Sequence, residues 1–432
     1  MRIFPKILIG FLQGNKLRIH ILGICGTFMA GVAGLAIKKG YTVTGQDKSY
    51  YSPMKDQLCD LQITENITED LISDLVNCDI VIIGNSQSRG SPSVEYVLDN
   101  KLKYFSGPEW IKENILKDKF VFVVSGTHGK TTTTSMLIKI LEENNLNPSF
   151  LVGGIYKEEN ISYKYTDSKY FIIEGDEYDT SFFDKRSKFI HYKPNTLIIN
   201  NLEYDHSDIF DDIVQIKKQF HFLIRTLPKE ANIIFDDKDE NILSLLSMGC
   251  WSKKISYYKN IKINNIIGEH NFKNSGAAIS AAETIGISKE KSIKALEKFC
   301  GVKRRLEKIN NKNFILYDDF AHHPTEILAS YMAIKKLHAG KKIFVILQIE
   351  SNSMIAGTHK EQLINTISEI EICYIFCKKN ISWINSISNI TVFDDIDIIV
   401  DKIKQSIEIV DIVILMSNGD TSDLIMKLTR YE

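Results

Sequence analysis

Short runs of β-branched and aliphatic residues recur along this chain, each closed by a glycine or polar turn and followed by a mixed stretch of helical length. The first group is Arg18-Ile-His-Ile-Leu-Gly-Ile, Tyr41-Thr-Val-Thr-Gly-Gln-Asp47, Asp79-Ile-Val-Ile-Ile-Gly-Asn-Ser86 and Lys103-Tyr-Phe-Ser-Gly107. The second holds Val121-Phe-Val-Val, Tyr170-Phe-Ile-Ile-Glu174 and Asn195-Thr-Leu-Ile-Ile-Asn-Asn201. The third holds Phe314-Ile-Leu-Tyr-Asp-Asp319, Lys342-Ile-Phe-Val-Ile-Leu347, Ile372-Cys-Tyr-Ile-Phe-Cys377 and Val410-Asp-Ile-Val-Ile-Leu-Met416. Runs that are apolar throughout, rather than alternating, predict strands covered on both faces. Alternation with helices then predicts an α/β fold of parallel sheets, with ligands at the strand carboxyl ends. The polar segment Lys112 to Lys119 is the first candidate linker, and a second boundary lies near Gly301. These divide the chain into expected domains 17–117, 118–301 and 302–432, within the two to four that 432 residues suit.

The turns after the strands carry the chemistry. Val121 to Ser135, VFVVSGTHGKTTTTS, reads as strand, phosphate loop and helix, the helix running to about Asn144. Gly126 and Gly129 let backbone N–H groups close on phosphate oxygens, Lys130 supplies a point charge, and Thr131 offers a hydroxyl to magnesium. Val124 stands where the usual pattern has glycine, so the loop is a shortened variant. The next strand ends in Glu174-Gly-Asp-Glu-Tyr-Asp179, an acidic group beside the loop, as a magnesium–nucleotide site requires. The same segment also fits a solvated acidic loop. Asp205 and His206 follow another strand end and are candidates to complete the metal site.

Other turns suggest further ligands. Gly23-Ile-Cys25-Gly26-Thr27 converts the first strand into a helix, a Rossmann-type opening. Asp47 fits either an acid that hydrogen-bonds a ribose or an ordinary strand-end acid. Ser86 opens a polar loop with Ser88 and Arg89. Asn271 and Asn274 precede an Ala-rich helix expected over Ser275 to Thr284, where they suit either capping or contact with a base edge. Arg304 and Arg305 form a local basic pair, and His322-His323-Pro324-Thr reads as a helix start at a site without zinc spacing.

Composition narrows the partners. Lys+Arg 53 against Asp+Glu 54 leaves a net charge of -1, which provides no global field for nucleic acid or anionic membrane. The 7 Cys contain no C-x-x-C pair and fit a reducing, cytoplasmic setting. No apolar run approaches membrane-span length. The segment Met1 to Leu12 has a positive start, but its apolar core is too short for a signal peptide, and the functional chain is expected to begin near Leu17.

Taken in order, Gly126-Thr-His128-Gly-Lys-Thr131, Glu174-Gly-Asp-Glu, Asn201-Leu-Glu-Tyr-Asp-His206, His270-Asn-Phe-Lys-Asn274, Arg305-Leu-Glu and Asp318-Asp-Phe-Ala-His-His-Pro324 resemble the Mur ligase family. The resemblance spans nearly all the chain after Leu17. It implies an N-terminal Rossmann-like domain for a UDP-sugar, a central P-loop ATPase-like parallel sheet, and a C-terminal Rossmann-like domain. Gly23-Ile-Cys-Gly-Thr-Phe-Met and the segment Glu174 to Phe210 are most similar to the branch that joins UDP-N-acetylmuramate to the murein tripeptide L-alanyl-γ-D-glutamyl-meso-diaminopimelate. The implied chemistry is ATP-dependent: a carboxylate is phosphorylated, then an amine displaces phosphate.

By that resemblance, Lys130, Glu174 and His206 are the catalytic residues. Thr131 and Glu174 would hold one Mg2+, and His206 a second. Gly126, Thr127, His128, Gly129, Lys130, Thr131, His270, Asn271, Asn274, Arg305, Asp319 and His323 would bind ATP. Gly23, Cys25, Gly26, Thr27, Asp47 and Ser86 would serve the UDP-sugar.

Two segments depart from the branch: Gln348-Ile-Glu350-Ser-Asn-Ser353 has an acid where an arginine is usual, and Ser417-Asn-Gly-Asp420-Thr-Ser-Asp423 replaces a glycine-rich loop. They leave open an L-alanine ligase or an altered peptide preference. A different class, a nucleotide- or UDP-sugar-binding module without catalysis, is disfavoured by Lys130, Glu174 and His206.

Overall fold

The computed structural model describes residues 16–48, 54–63, 65–66, 72–309, 311, 313–350, 352–379, 383, 391–406 and 410–429. The N-terminal extension expected before Leu17 lies almost wholly outside them. Each apolar run forms a strand, largely buried except for Tyr104–Ser106 and Ile372–Phe376, which are partly exposed. The first sheet comprises β1 (Arg18–Leu22), β2 (Thr42–Gln46), β3 (Glu65–Asn66), β4 (Ile80–Ile83) and β5 (Tyr104–Ser106), in the all-parallel order β3-β2-β1-β4-β5. Helix α1 (Thr27–Lys38) follows β1.

The second sheet is built on β6 (Phe120–Ser125), β7 (Ser149–Tyr156), β8 (Ile161–Lys164) and β9 (Tyr170–Glu174). After a small antiparallel pair, β10 (Asp179–Ser181) and β11 (Asp184–Ser187), it continues with β12 (Thr196–Ile199), β13 (Asn232–Phe235) and β14 (Lys253–Ser256). Its order is β14-β13-β12-β6-β9-β7-β8, parallel except for the β7–β8 hairpin. Helix α2 (Lys130–Glu143) follows β6. The third sheet orders β15 (Glu307–Ile309), β16 (Ile315–Asp319), β17 (Ile343–Gln348), β18 (Ile372–Phe376), β19 (Thr391–Phe393) and β20 (Ile412–Met416) as β15-β16-β20-β17-β18-β19. Only β15 is antiparallel to its neighbour.

The chain forms two compact units. One comprises residues 1–202, 216–257 and 277–296 and holds the first two sheets; the other comprises 203–215, 258–276 and 297–432 and holds the third. Within the first unit, Gly31 and Gly34 of α1 lie against Leu151 and Tyr163 of the β7–β8 hairpin so closely that an added Cβ would overlap those side chains. The Gln57 amide oxygen accepts from Ser162 N (3.1 Å) and Oγ (2.8 Å) across the same junction.

The expected linker Lys112 to Lys119 holds a π-helical turn, Lys112–Leu116, whose Ile115 and Leu116 are buried. One local expectation changes. Helix α3 (Glu269–Glu283) starts six residues before the expected Ser275. Asn271 and Asn274 therefore lie inside it rather than capping it. The Asn271 side-chain nitrogen donates to Ile267 O (2.8 Å) and Asn274 donates to Asn271 Oδ1 (3.0 Å).

In the second unit, helices α4 (Pro324–Leu337) and α5 (Lys360–Ser368) cover one face of the third sheet through Ile327, Tyr331, Ile334, Leu363 and Ile367. Helices α6 (Ile396–Gln405) and α7 (Ser422–Thr429) cover the other through Ile399, Val400, Ile403, Leu424 and Leu428.

Candidate active site

In the first unit, β6 ends at Ser125 and the chain turns through Gly126 (φ +118°) and Gly129 (φ +78°) before α2 begins at Lys130. A Cβ on Gly126 would stand 2.8 Å from Asn201 O, so only glycine brings the loop this close to the end of β12. Asn201 secures the loop: its carbonyl accepts from Thr127 N (3.1 Å), and its Oδ1 accepts from His128 N (2.8 Å). Asn200 and Asn201 both donate to His128 O, at 3.2 and 3.1 Å. The loop is thereby held open at the start of a helix, where backbone N–H groups and the helix dipole favour an anion.

Lys130 Nζ is folded back into this loop. It donates to Gly126 O (2.8 Å), to Thr127 O (3.3 Å) and to both Glu177 oxygens (2.8 and 3.0 Å). Burial opposes its charge, but Glu177, Asp176 and Glu174 outweigh that and the net effect raises its pKa. Asp176 in turn takes a 2.6 Å hydrogen bond from Lys188. Burial would raise the Asp176 carboxyl, yet Lys188 and Lys130 bring it down to about 2. The acidic segment is thus no solvated loop: Glu177 and Asp176 are each neutralised by a lysine.

Thr131 Oγ1 donates to Glu174 Oε2 (3.2 Å), and Gly153 N donates to Glu174 Oε1 (2.7 Å). A Cβ on Gly153 would lie 2.8 Å from Glu174 Oε2, and one on Gly154 would lie 3.0 Å from Thr131 Cγ2. The hydroxyl and carboxylate therefore share a narrow cradle of oxygen donors, the ligand class that suits magnesium.

The first sheet presents its own loop. Gly23 takes φ +79°, and a Cβ there would stand 3.0 Å from Ser86 Oγ, so the β1 and β4 turns meet. Gly26 precedes α1, whose first residue is Thr27. Asp47 Oδ2 accepts from Cys25 N (2.8 Å), which ties the end of β2 to the same turn. Lys188, besides its bond to Asp176, stands 5.5 Å from the ring centre of Phe28, the residue after Thr27.

In the second unit, Asp205 is buried and Asp205 Oδ1 accepts from His206 N (2.7 Å). His206 adopts φ +57°, a left-handed turn uncommon for histidine. His359 Nε2 lies 3.7 Å from Asp205 Oδ1, and the His359 and His323 rings meet edge to face with centres 4.5 Å apart. Burial would raise the Asp205 carboxyl, but His359, His206 and His323 bring it well below the usual carboxylate range. His323 also caps α4, its Nδ1 accepting from Thr325 N at 3.3 Å.

Asp319 accepts from Leu306 N and Ala321 N, both at 2.7 Å, while burial pushes its carboxyl up to about 6 against the pull of Arg305. Arg305 stands 3.7 Å from Glu326. His270 is pushed down to about 4 by burial, so its ring is neutral at physiological pH.

The structure thus brings Gly126 to Thr131 together with Glu174 in one unit, and His206 with His323 in the other. Gly153, Lys188 and His359 had no signal in the sequence; Glu177 stood in the acidic segment without its lysine partner being evident.

Residues 18–118 match the family model described as Mur ligase family, catalytic domain; residues 124–257 match the Mur ligase middle domain; residues 304–419 match the Mur ligase, glutamate ligase domain. A Haemophilus influenzae protein named UDP-N-acetylmuramate--L-alanyl-gamma-D-glutamyl-meso-2,6-diaminoheptandioate ligase is 41% identical over 443 residues, covering 95% of this chain and 98% of its own. Its Escherichia coli namesake is 39% identical over 446 residues, covering 95% of this chain and 97% of its own. A solved murein peptide ligase from Psychrobacter arcticus superimposes with a TM-score of 0.74 at 33% identity, covering 96% of this chain and 99% of that one.

Proposed function

Because this chain belongs to the Mur ligase family, we propose that it is an ATP-dependent ligase joining the carboxylate of UDP-N-acetylmuramate to the tripeptide L-alanyl-γ-D-glutamyl-meso-diaminopimelate. The observation that carries the chemistry is the pairing of Thr131 with Glu174 beside a phosphate loop that holds Lys130. Two relatives, at 41% and 39% identity over 95% of this chain, bear the name of this reaction. Murein recycling in the cytoplasm is the proposed setting. Among the described residues no helix is long and apolar enough to cross a membrane.

A carboxylate is a poor acyl donor. Transfer of the γ-phosphoryl group of ATP to a carboxylate oxygen gives an acyl phosphate and ADP; attack by the peptide amine then expels phosphate and releases a proton. Both transition states gather negative charge, so fixed positive groups and N–H dipoles lower their energy more than that of the ground state. Lys130 is the group for the γ-phosphoryl oxygens, which would replace the Gly126 and Thr127 carbonyls and compete with Glu177 for its ammonium. Thr131 and Glu174 are assigned to one magnesium ion and His206 to a second; when bound, these ions would spread the charge of the phosphates. His128, His270, Asn271, Asn274, Arg305, Asp319 and His323 are assigned to the nucleotide on the order of the motifs. Gly23, Cys25, Gly26, Thr27, Asp47 and Ser86 are assigned to the UDP-sugar. Asp47 acts at least partly through the Cys25 amide it holds. Residues 17–117, 118–301 and 302–432 are the proposed domains.

ADP release measured with UDP-N-acetylmuramate and each of L-alanine, the dipeptide and the tripeptide tests the reading. Release is expected to require the UDP-sugar and to be fastest with the tripeptide. Preference for L-alanine would transfer the assignment to the L-alanine reaction, and binding of both nucleotides without ADP release would overturn the ligase reading.

A further inference from the structure

The β10–β11 hairpin connects the first two sheets, both of which lie in the first unit. Its tip belongs to the first sheet: Phe182 packs against the core of Leu22, Val81 and Ile83, and Phe183 meets Tyr104 of β5 edge to face, with ring centres 5.1 Å apart. Its base belongs to the second. Ser187 Oγ donates to Glu177 O (2.6 Å) and Lys188 N donates to Tyr178 O (3.1 Å), just beyond the end of β9. The hairpin thereby delivers Lys188 to the seam between the turn that opens α1 and the acids beside the phosphate loop.

The Lys188 side chain is 8% exposed. Its Nζ donates to Asp176 Oδ2 at 2.6 Å, and the rings of Phe28 and Tyr178 are centred 5.5 and 5.9 Å from it. An ammonium carries three donors. Among the described residues Lys188 Nζ meets no acceptor other than Asp176, so most of its donor capacity is unmet in a buried place, which is costly. Lys130 is the contrast, since its Nζ already reaches Gly126 O, Thr127 O and both Glu177 oxygens. Asp176 stands at the opening, its side chain 33% exposed. The seam thus holds a cation with donors to give, beneath a partly exposed carboxylate and between two aromatic faces that keep water away from it.

An anionic oxygen is the ligand that satisfies such a group. In the ligase reading the nucleotide part of the UDP-sugar is held by the first sheet, while its carboxylate must come beside a triphosphate that repels it. The start of α1 offers N–H groups to the diphosphate, and the phosphate loop with Lys130 serves ATP. Lys188 is the cation left between the two, where a charge-assisted hydrogen bond offsets the repulsion.

We propose that Lys188 binds the lactoyl carboxylate of the UDP-sugar through the donors that Asp176 leaves, and so selects a carboxylated UDP-sugar over one without that group. The inference rests on the ligase reading for the identity of the sugar. Lys188 holds the carboxylate before it reacts, so its loss appears in KM for the UDP-sugar more than in kcat.

The test compares UDP-N-acetylmuramate with UDP-N-acetylglucosamine, the same nucleotide sugar without the lactoyl group, by titration calorimetry on the full chain, with ADP release as a separate readout. The parent is expected to bind the carboxylated sugar about thirtyfold more tightly, within the range of one charge-assisted hydrogen bond. Lys188→Met should bring the two affinities within about threefold of each other by weakening UDP-N-acetylmuramate alone, while Lys188→Arg, which keeps the charge, should retain most of the difference. Lys188→Met combined with Asp176→Asn strands no carboxylate and should match Lys188→Met; it decides the matter if the single variant does not fold. In turnover, KM for UDP-N-acetylmuramate should rise with KM for ATP unchanged. A parent that binds both sugars equally or neither, or a ratio that both methionine variants leave unmoved, overturns the proposal. Equal weakening of the two sugars overturns it as well, by placing Lys188 on the diphosphate they share. If no amine yields ADP, the ligase reading falls and the calorimetric ratio alone decides the inference.

Discussion

Replacing Lys130 with alanine is expected to remove two things at once, and a second substitution separates them. The Lys130 side chain is 17% exposed and that of Glu177 is 4%, with contacts of 2.8 and 3.0 Å between them, so this is a buried pair rather than a surface one. Breaking such a pair from one side strands a charge in a poorly solvated site, at a cost of about 3–5 kcal/mol. For a unit of this size, about 2 °C of melting temperature is lost per kcal/mol, so Lys130→Ala should melt about 6–10 °C below the parent. Lys130→Met combined with Glu177→Gln removes both charges while keeping shape, and should melt within about 3 °C of the parent because neither buried group is left ionised. Turnover follows a different rule. Loss of the cation aimed at the transferring phosphoryl group should lower kcat by about 10²–10³ in both variants, whatever their stability. Thermal unfolding without nucleotide and ADP release at saturating substrate give the two readouts. Turnover regained in the double variant would remove Lys130 from the mechanism. A melting temperature unmoved in Lys130→Ala would refute the buried-pair reasoning.

Three further outcomes are expected. Asp47→Ala, which deprives Cys25 N of its 2.8 Å acceptor, should raise KM for UDP-N-acetylmuramate about fivefold to tenfold, with KM for ATP unchanged in the same kinetic assay. Asp319 has its carboxyl raised from 3.8 to about 6, so the protonated form favours the folded state; that stabilisation is complete below about pH 4 and is lost as pH rises to about 6. Denaturation of the parent and Asp319→Asn at pH 4 and pH 7 should show a larger loss for the parent, by up to about 3 kcal/mol; parallel losses would contradict it. His206 sits at φ +57°, which asparagine tolerates better than alanine. His206→Asn should therefore melt above His206→Ala, while both lose turnover equally if the imidazole, rather than the turn, is the functional part.

The strands and the phosphate loop were legible because their signals are local: a run of apolar residues, then glycines and a lysine within a few positions. Helix α3 was misjudged at its start for a local reason as well. Its first turns are polar and read as a loop, yet Asn271 returns a hydrogen bond to Ile267 O and Ser275 Oγ returns one to Asn271 O, so the polar side chains satisfy the helix that they seem to interrupt. The segment Lys112 to Lys119 carries five charges against the two buried residues, Ile115 and Leu116, that anchor its π-helical turn.

Pairings between distant positions were not legible, and they decide what the site residues do. Glu177 looked like one acid among several, and only the fold makes it the counterion of Lys130. The same holds for the two altered segments of the third sheet. In the sequence they are separate acidic replacements, each suggesting a weakened grip on the peptide. In the structure the Gln348 amide donates to the Glu350 carboxylate and to the backbone carbonyl of Asp420, because β17 and β20 are neighbours despite the two strands and their helices that intervene in the chain. Two independent losses would predict a degraded site, with effects that add. A shared amide predicts coupling instead: Glu350→Gln and Gln348→Leu should give a combined effect on peptide KM that differs from the product of the single effects, because the Gln348 amide and the Glu350 carboxylate are direct partners. That coupling is what distinguishes one connected pair of segments from two separate losses.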